Sequence, residues 1–148
     1  MAKPTWIDSV TGTMKIDPDE YSLITSTSRR ASLSYAIAGW LYMLRRQKNT
    51  RIQAVASILI FALCLWLQID LLRWAMIIFA ITIVWMAEFV NAAVEAAVNL
   101  ATTEYHPMAK VGKDVAAAAV LLGVVSSILI GLLVLGPPLL AKVGIVIQ

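Results

Sequence analysis

The sequence predicts an all-α integral membrane protein with an N-terminal amphipathic interfacial helix and three transmembrane helices. Of the 148 residues, 60% are hydrophobic and 14% are charged, whereas soluble domains are roughly 45–50% apolar and about 25% charged. The mean hydropathy is +0.81. Three long apolar stretches each approach the ~20 residues with which a helix crosses a bilayer. The length fits one domain, which we expect over residues 28–148.

Residues 1–27 precede this domain as a polar extension of mixed charge. They lack the continuous apolar stretch of a cleavable signal, so we expect the extension to be retained. The single cysteine, Cys64, lies within an apolar stretch. With no second cysteine in the chain, we expect neither an internal disulfide nor a multi-cysteine metal site, and no redox chemistry.

The first predicted element is an interfacial helix over residues 29–50. In "RRASLSYAIAGWLYMLRR" (29–46), arginine pairs stand at both ends of a segment that is apolar on one side. Such a pattern is typical of a helix that lies in the membrane interface. The residues that share the apolar face are Leu33, Ile37, Trp40, Leu41 and Leu44.

Three membrane spans follow at about residues 52–69, 71–98 and 115–135. Only the short segment "QIDLLR" (68–73) joins the first two, which predicts a tight helical hairpin. Trp66 and Trp74 flank this segment, and their aromatic rings favour the boundary between membrane and water.

The third span is bounded by residues that interrupt an apolar helix. The segment "ATTEYHPMAKVGKD" (101–114) contains proline, histidine and lysines and predicts a surface loop before the span. After the span, Gly136, Pro137 and Pro138 predict the end of the last helix.

The positive charges predict the topology. Ten of the twelve Lys and Arg residues precede the first span or lie in the second loop, and only Arg73 and Lys142 lie on the other side. Positively charged loops stay in the cytoplasm. We therefore expect a cytoplasmic N-terminus, a cytoplasmic loop before the third span, and an external C-terminus.

A polar stripe interrupts the second span. In "EFVNAAVEAAVN" (88–99), steps of three and four residues place four polar side chains along one side of a helix. A charged side chain in mid-bilayer costs roughly 2.5–3.5 kcal/mol, so carboxylates there face a protein interior or a wet cleft. The stripe either forms a functional site or joins helices through polar contacts. Its members are Glu88, Asn91, Glu95 and Asn99.

This stripe, taken with "YHPMAKVGKDVAAAAVLL" (105–122), resembles the prokaryotic diacylglycerol kinase and undecaprenol kinase family of small membrane lipid kinases. The resemblance extends from about Ser32 to Leu135 and includes "SYAIAG" (34–39) and "NTRIQ" (49–53). It implies phosphorylation of a membrane lipid alcohol, diacylglycerol or undecaprenol, with ATP and Mg²⁺.

The resemblance also implies roles for individual residues. Glu88 matches the catalytic general base, and Glu95 matches a metal ligand. Gln47 is either a variant second ligand or a solvated surface residue. The residues implied in binding ATP and its metal are Tyr35, Gln47, Asn91, Glu95, Glu104, Tyr105, His106, Lys113 and Asp114. Lys110 either joins this set or anchors the loop to lipid head groups.

The same resemblance implies a homotrimer with active sites shared between chains, embedded among the lipids of a bacterial inner membrane. A nucleic-acid partner is not expected.

Two departures from the family pattern leave a rival function open. Gln47 stands where many relatives have a metal-binding Glu, and Asn99 stands where they have Asp. An amide oxygen can ligate Mg²⁺ but carries no negative charge. The rival is a non-catalytic member of the fold that serves as an assembly or binding subunit of a larger membrane complex.

Overall fold

The computed structural model describes residues 28–144, in which four α-helices and no β-strand occur. Helix α1 covers Arg29–Arg46, α2 covers Lys48–Leu67, α3 covers Leu71–Ala101 and α4 covers Pro107–Lys142. The chain divides into two compact units, Met1–Leu41 and Tyr42–Gln148. The predicted N-terminal extension, residues 1–27, lies outside the described residues.

Three of these helices, α2, α3 and α4, are long and apolar enough to cross a membrane. This confirms the predicted all-α membrane class with three spans. The 31 residues of α3 correspond to about 46 Å of helix, which exceeds the ~30 Å hydrocarbon core of a bilayer. One end of α3 therefore has room to project into water when the helix spans the membrane.

The boundary predicted for the interfacial helix is wrong by four residues. A continuous helix was expected to residue 50, but α1 ends at Arg46 and α2 begins at Lys48. Gln47 separates them with extended backbone angles, φ −95° and ψ 120°. Neither glycine nor proline marks this break in the sequence.

The turn between α2 and α3 confirms the predicted hairpin. Gln68 adopts the left-handed conformation with φ 52°, which lets the Ile69 N–H donate to the carbonyl of Cys64 at 3.4 Å. Asp70 then caps α3, because its Oδ1 accepts from the Arg73 N–H at 3.0 Å. The Arg73 guanidinium also pairs with Asp70 Oδ2 at 2.8 Å.

A buried apolar cluster joins all three long helices next to this turn, at what we call the hairpin end. Cys64 is fully buried at its centre, and Phe61 and Trp74 pack beside it with ring centroids 5.9 Å apart. The Lys142 ammonium lies 5.6 Å from the centroid of the Trp66 ring. The cluster consists of Cys64, Leu67, Ile69, Ile77, Val134 and Leu135.

Helices α3 and α4 make the most extensive contact of the described residues. Ser127 Oγ donates to the Ala80 carbonyl at 2.8 Å. Gly123 is buried against α3, where an added Cβ would lie 3.7 Å from Ala87 Cβ. Small residues on α4 thus allow the two backbones to approach closely along much of their length.

Helix α4 begins earlier and ends later than the sequence predicts. The predicted loop over 101–114 is shorter, because Pro107 opens the helix with a backbone angle already suited to a first turn. The helix also continues through Pro137 and Pro138 to Lys142. Neither proline has an N–H to donate, so two helical hydrogen bonds are missing. The helical hydrogen bonds resume after the prolines, since the Val143 N–H donates to the Leu139 carbonyl at 3.1 Å.

The cap at Asp70 generates a stability prediction. We expect Asp70→Ala to lower the unfolding temperature in detergent, because the Arg73 N–H loses its acceptor, whereas Asp70→Asn keeps a capping oxygen and should unfold close to wild type. The hydrogen bond from the Arg73 N–H, helped by the Arg73 guanidinium, lowers the pKa of Asp70.

A group with a lowered pKa stabilises the fold above its unfolded pKa and loses that contribution as the pH falls through its folded pKa. The advantage of wild type over Asp70→Ala should therefore be full at neutral pH and shrink on acidification. Circular dichroism melts from neutral to acidic pH measure this difference in unfolding temperature between the two proteins. Equal unfolding temperatures for Asp70→Ala and wild type at neutral pH would contradict the assigned cap.

Candidate functional site

The polar stripe on α3 runs from a buried end to an exposed end. Glu88 is only 5% exposed, and Asn91 Oδ1 is buried without a hydrogen-bond partner in residues 28–144. Glu95 is half-buried, and Asn99 is exposed at the loop end of the helix. Glu88 and Glu95 are separated by about 10 Å along the axis. The stripe therefore connects an apolar environment to a hydrated one.

Glu88 lines an apolar space between α2, α3 and α4, which we call the membrane cavity. Its volume is about 660 Å³. Aliphatic side chains form most of the wall. The Glu88 carboxylate forms no salt bridge within the described residues. The polar residues of the wall are Asn49, Gln53, Ser57, Glu88 and Ser127.

The two hydroxyl groups of the membrane cavity are already bonded within the protein. Ser57 Oγ donates to the Gln53 carbonyl at 2.8 Å and accepts from Trp85 Nε1 at 3.2 Å, and Ser127 donates to Ala80. Gln53 Nε2, by contrast, is a buried donor that has no partner among residues 28–144.

One carboxylate acceptor and one amide donor therefore share the wall of an apolar cavity. A hydroxyl group needs both, since it donates one hydrogen and accepts through its oxygen. The arrangement suits a lipid alcohol whose hydroxyl reaches Glu88 while its tail occupies the cavity.

A second pocket, the loop pocket, lies where α4 begins. Its volume is about 320 Å³. Five residues that the family resemblance predicted for nucleotide binding meet here, together with Ala109 and Lys110. The five are Glu104, Tyr105, His106, Lys113 and Asp114.

The charges of the loop pocket are unevenly compensated. Lys110 forms an ion pair with Asp114 one helical turn away. Lys113 Nζ instead donates to Asn99 Oδ1 at 2.7 Å, and a neutral amide oxygen leaves its positive charge uncompensated. His106 caps α4, since its Nδ1 accepts from the Met108 N–H at 3.2 Å. The Lys113 ammonium and the positive end of the helix dipole favour an anionic ligand.

Four predicted residues lie in neither pocket. Tyr35 is 55% exposed on α1, in the other compact unit, and Gln47 is half-buried at the break between α1 and α2. Asn91 and Glu95 lie on α3 between Glu88 and the loop end. Residues 28–144 contain no group of three or more His, Cys, Asp or Glu side chains placed to hold a metal ion.

The sequence prediction missed two site residues. Asn49 and Gln53 line the membrane cavity but were noted only as part of the motif "NTRIQ". Their spacing of four residues, at the charged start of an apolar span, puts both on one side of α2. That spacing was the available signal, but it does not show which side of α2 approaches Glu88.

The fold and these two pockets define a class: a small multi-span membrane protein with a buried carboxylate in an apolar cavity and a polar pocket of lysines and carboxylates at its surface. The sequence model described as prokaryotic diacylglycerol kinase matches residues 34–135 of the chain. The chain belongs to the prokaryotic diacylglycerol kinase family, which confirms the resemblance seen in the sequence.

Similar proteins carry two kinds of name. The chain is 33% identical over 111 residues to a diacylglycerol kinase of Synechocystis sp., with 74% of this chain and 63% of that protein covered. It is 34% identical over 95 residues to the undecaprenol kinase of Bacillus subtilis, with 64% and 77% covered. The diacylglycerol kinase of Escherichia coli K12 is 30% identical over 79 residues, with 53% and 65% covered.

The chain thus spans less than two thirds of the length of the Synechocystis relative.

Proposed function

We propose that this protein is a membrane lipid kinase that transfers the γ-phosphoryl group of ATP to the hydroxyl of a lipid alcohol, either diacylglycerol or a polyprenol such as undecaprenol. The observation that carries the proposal is Glu88, which is 5% exposed and lines an apolar cavity. An unpaired carboxylate at such depth is costly to the fold. The names of the similar proteins support the same activity.

The position of Glu88 favours this proposal over a purely structural role. A residue that only joined helices would have a polar partner on the neighbouring helix, but Glu88 lines an open space and has no salt bridge within residues 28–144. Within residues 28–144 the polar contacts between helices are made by other side chains, Ser127 and Lys113 to α3 and Trp85 to α2.

In the proposed reaction Glu88 acts as general base. It takes the proton of the lipid hydroxyl while that oxygen attacks the γ-phosphorus. The new oxygen–phosphorus bond forms as the bond to the β,γ-bridging oxygen breaks, and ADP leaves with the electron pair. Glu88 then returns its proton to water. Gln53 Nε2, a buried donor without a partner, positions the hydroxyl oxygen in the same cavity.

The loop pocket is the proposed ATP site. Lys113 presents an uncompensated charge, and Glu104, Tyr105, His106 and Asp114 surround it. Phosphoryl transfer depends mainly on positioning and on neutralising phosphate charge, which a lysine and a helix N-terminus supply. The resemblance also implies a nucleotide contact for Tyr35 on α1, and this role stays a prediction.

Magnesium fits the oxygen donors of the stripe. The Glu95 carboxylate would hold it, with Gln47 as a variant amide ligand, and the unpartnered Asn91 Oδ1 lies one turn from Glu95. Few protein ligands are needed, because Mg²⁺ usually keeps water molecules and binds substrate phosphates through one or two carboxylates. When bound, it would supply positive charge that neutralises the phosphates of ATP.

The proposed assembly is a homotrimer with shared sites in a bacterial inner membrane. Large apolar side chains remain exposed on the spans, such as Leu65 at 69% and Leu133 at 77%, and lipids or neighbouring chains would cover them. The N-terminus and the loop between α3 and α4 are proposed to be cytoplasmic, because Arg and Lys residues concentrate there.

Replacing Glu88 tests the activity. In mixed micelles with labelled ATP and Mg²⁺, wild type should phosphorylate diacylglycerol or undecaprenol, and Glu88→Gln should lose about 10²–10⁴-fold in rate, the usual contribution of a general base. Asp70→Asn, a carboxylate-to-amide change at the hairpin end, should keep full activity. Light scattering should give the mass of three chains for wild type, Glu88→Gln and Asp70→Asn.

A Glu88→Gln variant as fast as wild type would refute the assigned base. If wild type transferred phosphate to no lipid alcohol, the non-catalytic rival would replace the kinase.

Two lysines of α4 provide a matched test of the ATP site. Lys113→Met should raise the KM for ATP by roughly tenfold or more, since a charge-assisted contact to phosphate is lost. Lys142→Met removes the same charge from the opposite end of the helix and should leave the KM unchanged. The KM for the lipid acceptor should stay constant in both variants. Equal effects of the two substitutions would contradict the loop pocket as the nucleotide site.

Cysteine labelling tests the topology. Leu71 at the hairpin end is 87% exposed and Thr103 lies exposed in the opposite loop, while the native Cys64 is fully buried. A membrane-impermeant maleimide should label Leu71→Cys in intact spheroplasts and Thr103→Cys only in inverted vesicles. Wild type gives the background from Cys64. The reverse labelling pattern would overturn the proposed orientation.

A further inference from the structure

Four basic side chains collect where α1 ends and α2 begins. Two of them close α1, and two lie within the first four residues of α2. All four are exposed, and none forms an ion pair within residues 28–144. The sequence has no Asp or Glu over residues 21–69. We call these four residues the basic corner: Arg45, Arg46, Lys48 and Arg51.

The charges of the basic corner lie close together. Arg46 and Lys48 are two residues apart, so their Cα atoms lie within about 7.6 Å of each other. Lys48 and Arg51 lie three residues apart on α2, a spacing at which helix side chains are neighbours. Like charges this close repel each other unless an anion lies between them. The basic corner therefore favours a ligand that carries negative charge.

Helix stability explains only half of the basic corner. Arg45 and Arg46 lie in the last turn of α1, where the helix dipole favours positive charge. Lys48 and Arg51 lie at the start of α2, where the dipole disfavours positive charge, and the first turn of α2 has no acidic residue to offset it. These two cations fit a negatively charged ligand and do not serve the stability of α2.

The length of α2 places the basic corner at the level of lipid head groups. Its 20 residues span about 30 Å, which equals the ~30 Å thickness of a hydrocarbon core. When α2 crosses the membrane, Lys48 and Leu67 therefore lie at opposite surfaces. Arg51 is one turn further in, and its long side chain can extend back to the surface. Both cations thus reach the phosphate groups of surrounding lipids.

The side of α2 below the basic corner is apolar. From Arg51, steps of three and four residues lead along one side of the helix to Val55 and Ile58, and both are exposed. This side differs from the one that lines the membrane cavity, whose wall contains none of these three residues. It offers cations at head-group level and aliphatic side chains in the hydrocarbon core, which match the two parts of a phospholipid.

The basic corner fits one class of membrane lipid, because clusters of about four or more Lys and Arg residues next to a span recognise anionic lipids. We propose that the basic corner, together with the exposed side of α2 below it, binds one anionic phospholipid of the phosphatidylglycerol type. Its phosphate lies between Lys48 and Arg51, and an acyl chain lies along Val55 and Ile58. A zwitterionic lipid fits less well, because its head group brings a positive charge of its own next to the four cations. This binding does not depend on the kinase function.

Native mass spectrometry of the full chain tests the site with two lipids that share the same acyl chains. Wild type should bind one dioleoylphosphatidylglycerol per chain, roughly tenfold or more tighter than dioleoylphosphatidylcholine. Lys48→Gln/Arg51→Gln should weaken phosphatidylglycerol binding roughly fivefold per charge and leave phosphatidylcholine within about twofold. The single variants Lys48→Gln and Arg51→Gln should each lose about fivefold, and they decide the test if the double variant does not fold.

Two control variants separate a site from general attraction to charge. Lys48→Arg/Arg51→Lys keeps both charges and should keep the preference for phosphatidylglycerol. Arg29→Gln/Arg30→Gln removes two exposed charges from the start of α1 and should leave binding within about twofold. Inorganic phosphate and ATP at equal ionic strength should not displace the lipid, because neither has an acyl chain.

Equal affinity of wild type for the two lipids would overturn the inference, as would equal losses in Lys48→Gln/Arg51→Gln and Arg29→Gln/Arg30→Gln. Displacement of phosphatidylglycerol by ATP would assign the basic corner to the nucleotide instead. If wild type bound no phosphatidylglycerol while keeping the mass of its assembly, a neighbouring chain would cover this side of α2 and the lipid site would not exist.

Discussion

The free-energy cost of placing a carboxylate inside a bilayer is the constraint on which this structure depends. Glu88 is nearly buried, and a charged side chain at such depth must face something other than lipid. The helices keep Glu88 away from lipid because the three spans do not pack equally closely against one another. α3 and α4 pack closely around Gly123, whereas α2 is joined to both in the cluster around Cys64. The membrane cavity lies between them, and Glu88 lines it.

Helix α3 connects two chemical environments because its polar stripe changes burial along its length. The stripe begins at buried Glu88 and ends at exposed Asn99, which bonds Lys113 of the loop pocket. An alcohol with an apolar tail and a nucleotide in water differ so much in solubility that one pocket cannot hold both. A helix that spans the boundary holds the two pockets at a constant separation.

Hydropathy and helical period were sufficient to predict the spans, the hairpin and the stripe, because these depend on local pattern alone. The break at Gln47 and the passage of α4 through Pro137 and Pro138 were not predictable in this way. Both the break and the continued helix depend on tertiary contacts with neighbouring segments. The roles of Asn49 and Gln53 were missed for a related reason: the side of α2 that meets Glu88 is decided by tertiary packing, which has no periodic signature.

The amide at Asn99 bears directly on the choice between a kinase and a non-catalytic relative. An amide in place of a carboxylate suggests loss of function if residue 99 is a metal ligand. Here its oxygen accepts from Lys113 at 2.7 Å, and a carboxylate in that position would neutralise the lysine, as Asp114 does for Lys110. The neutral side chain orients Lys113 and leaves it the positive charge that the proposed ATP site requires. The departure from the family pattern is therefore compatible with ATP binding and does not indicate decay of the site.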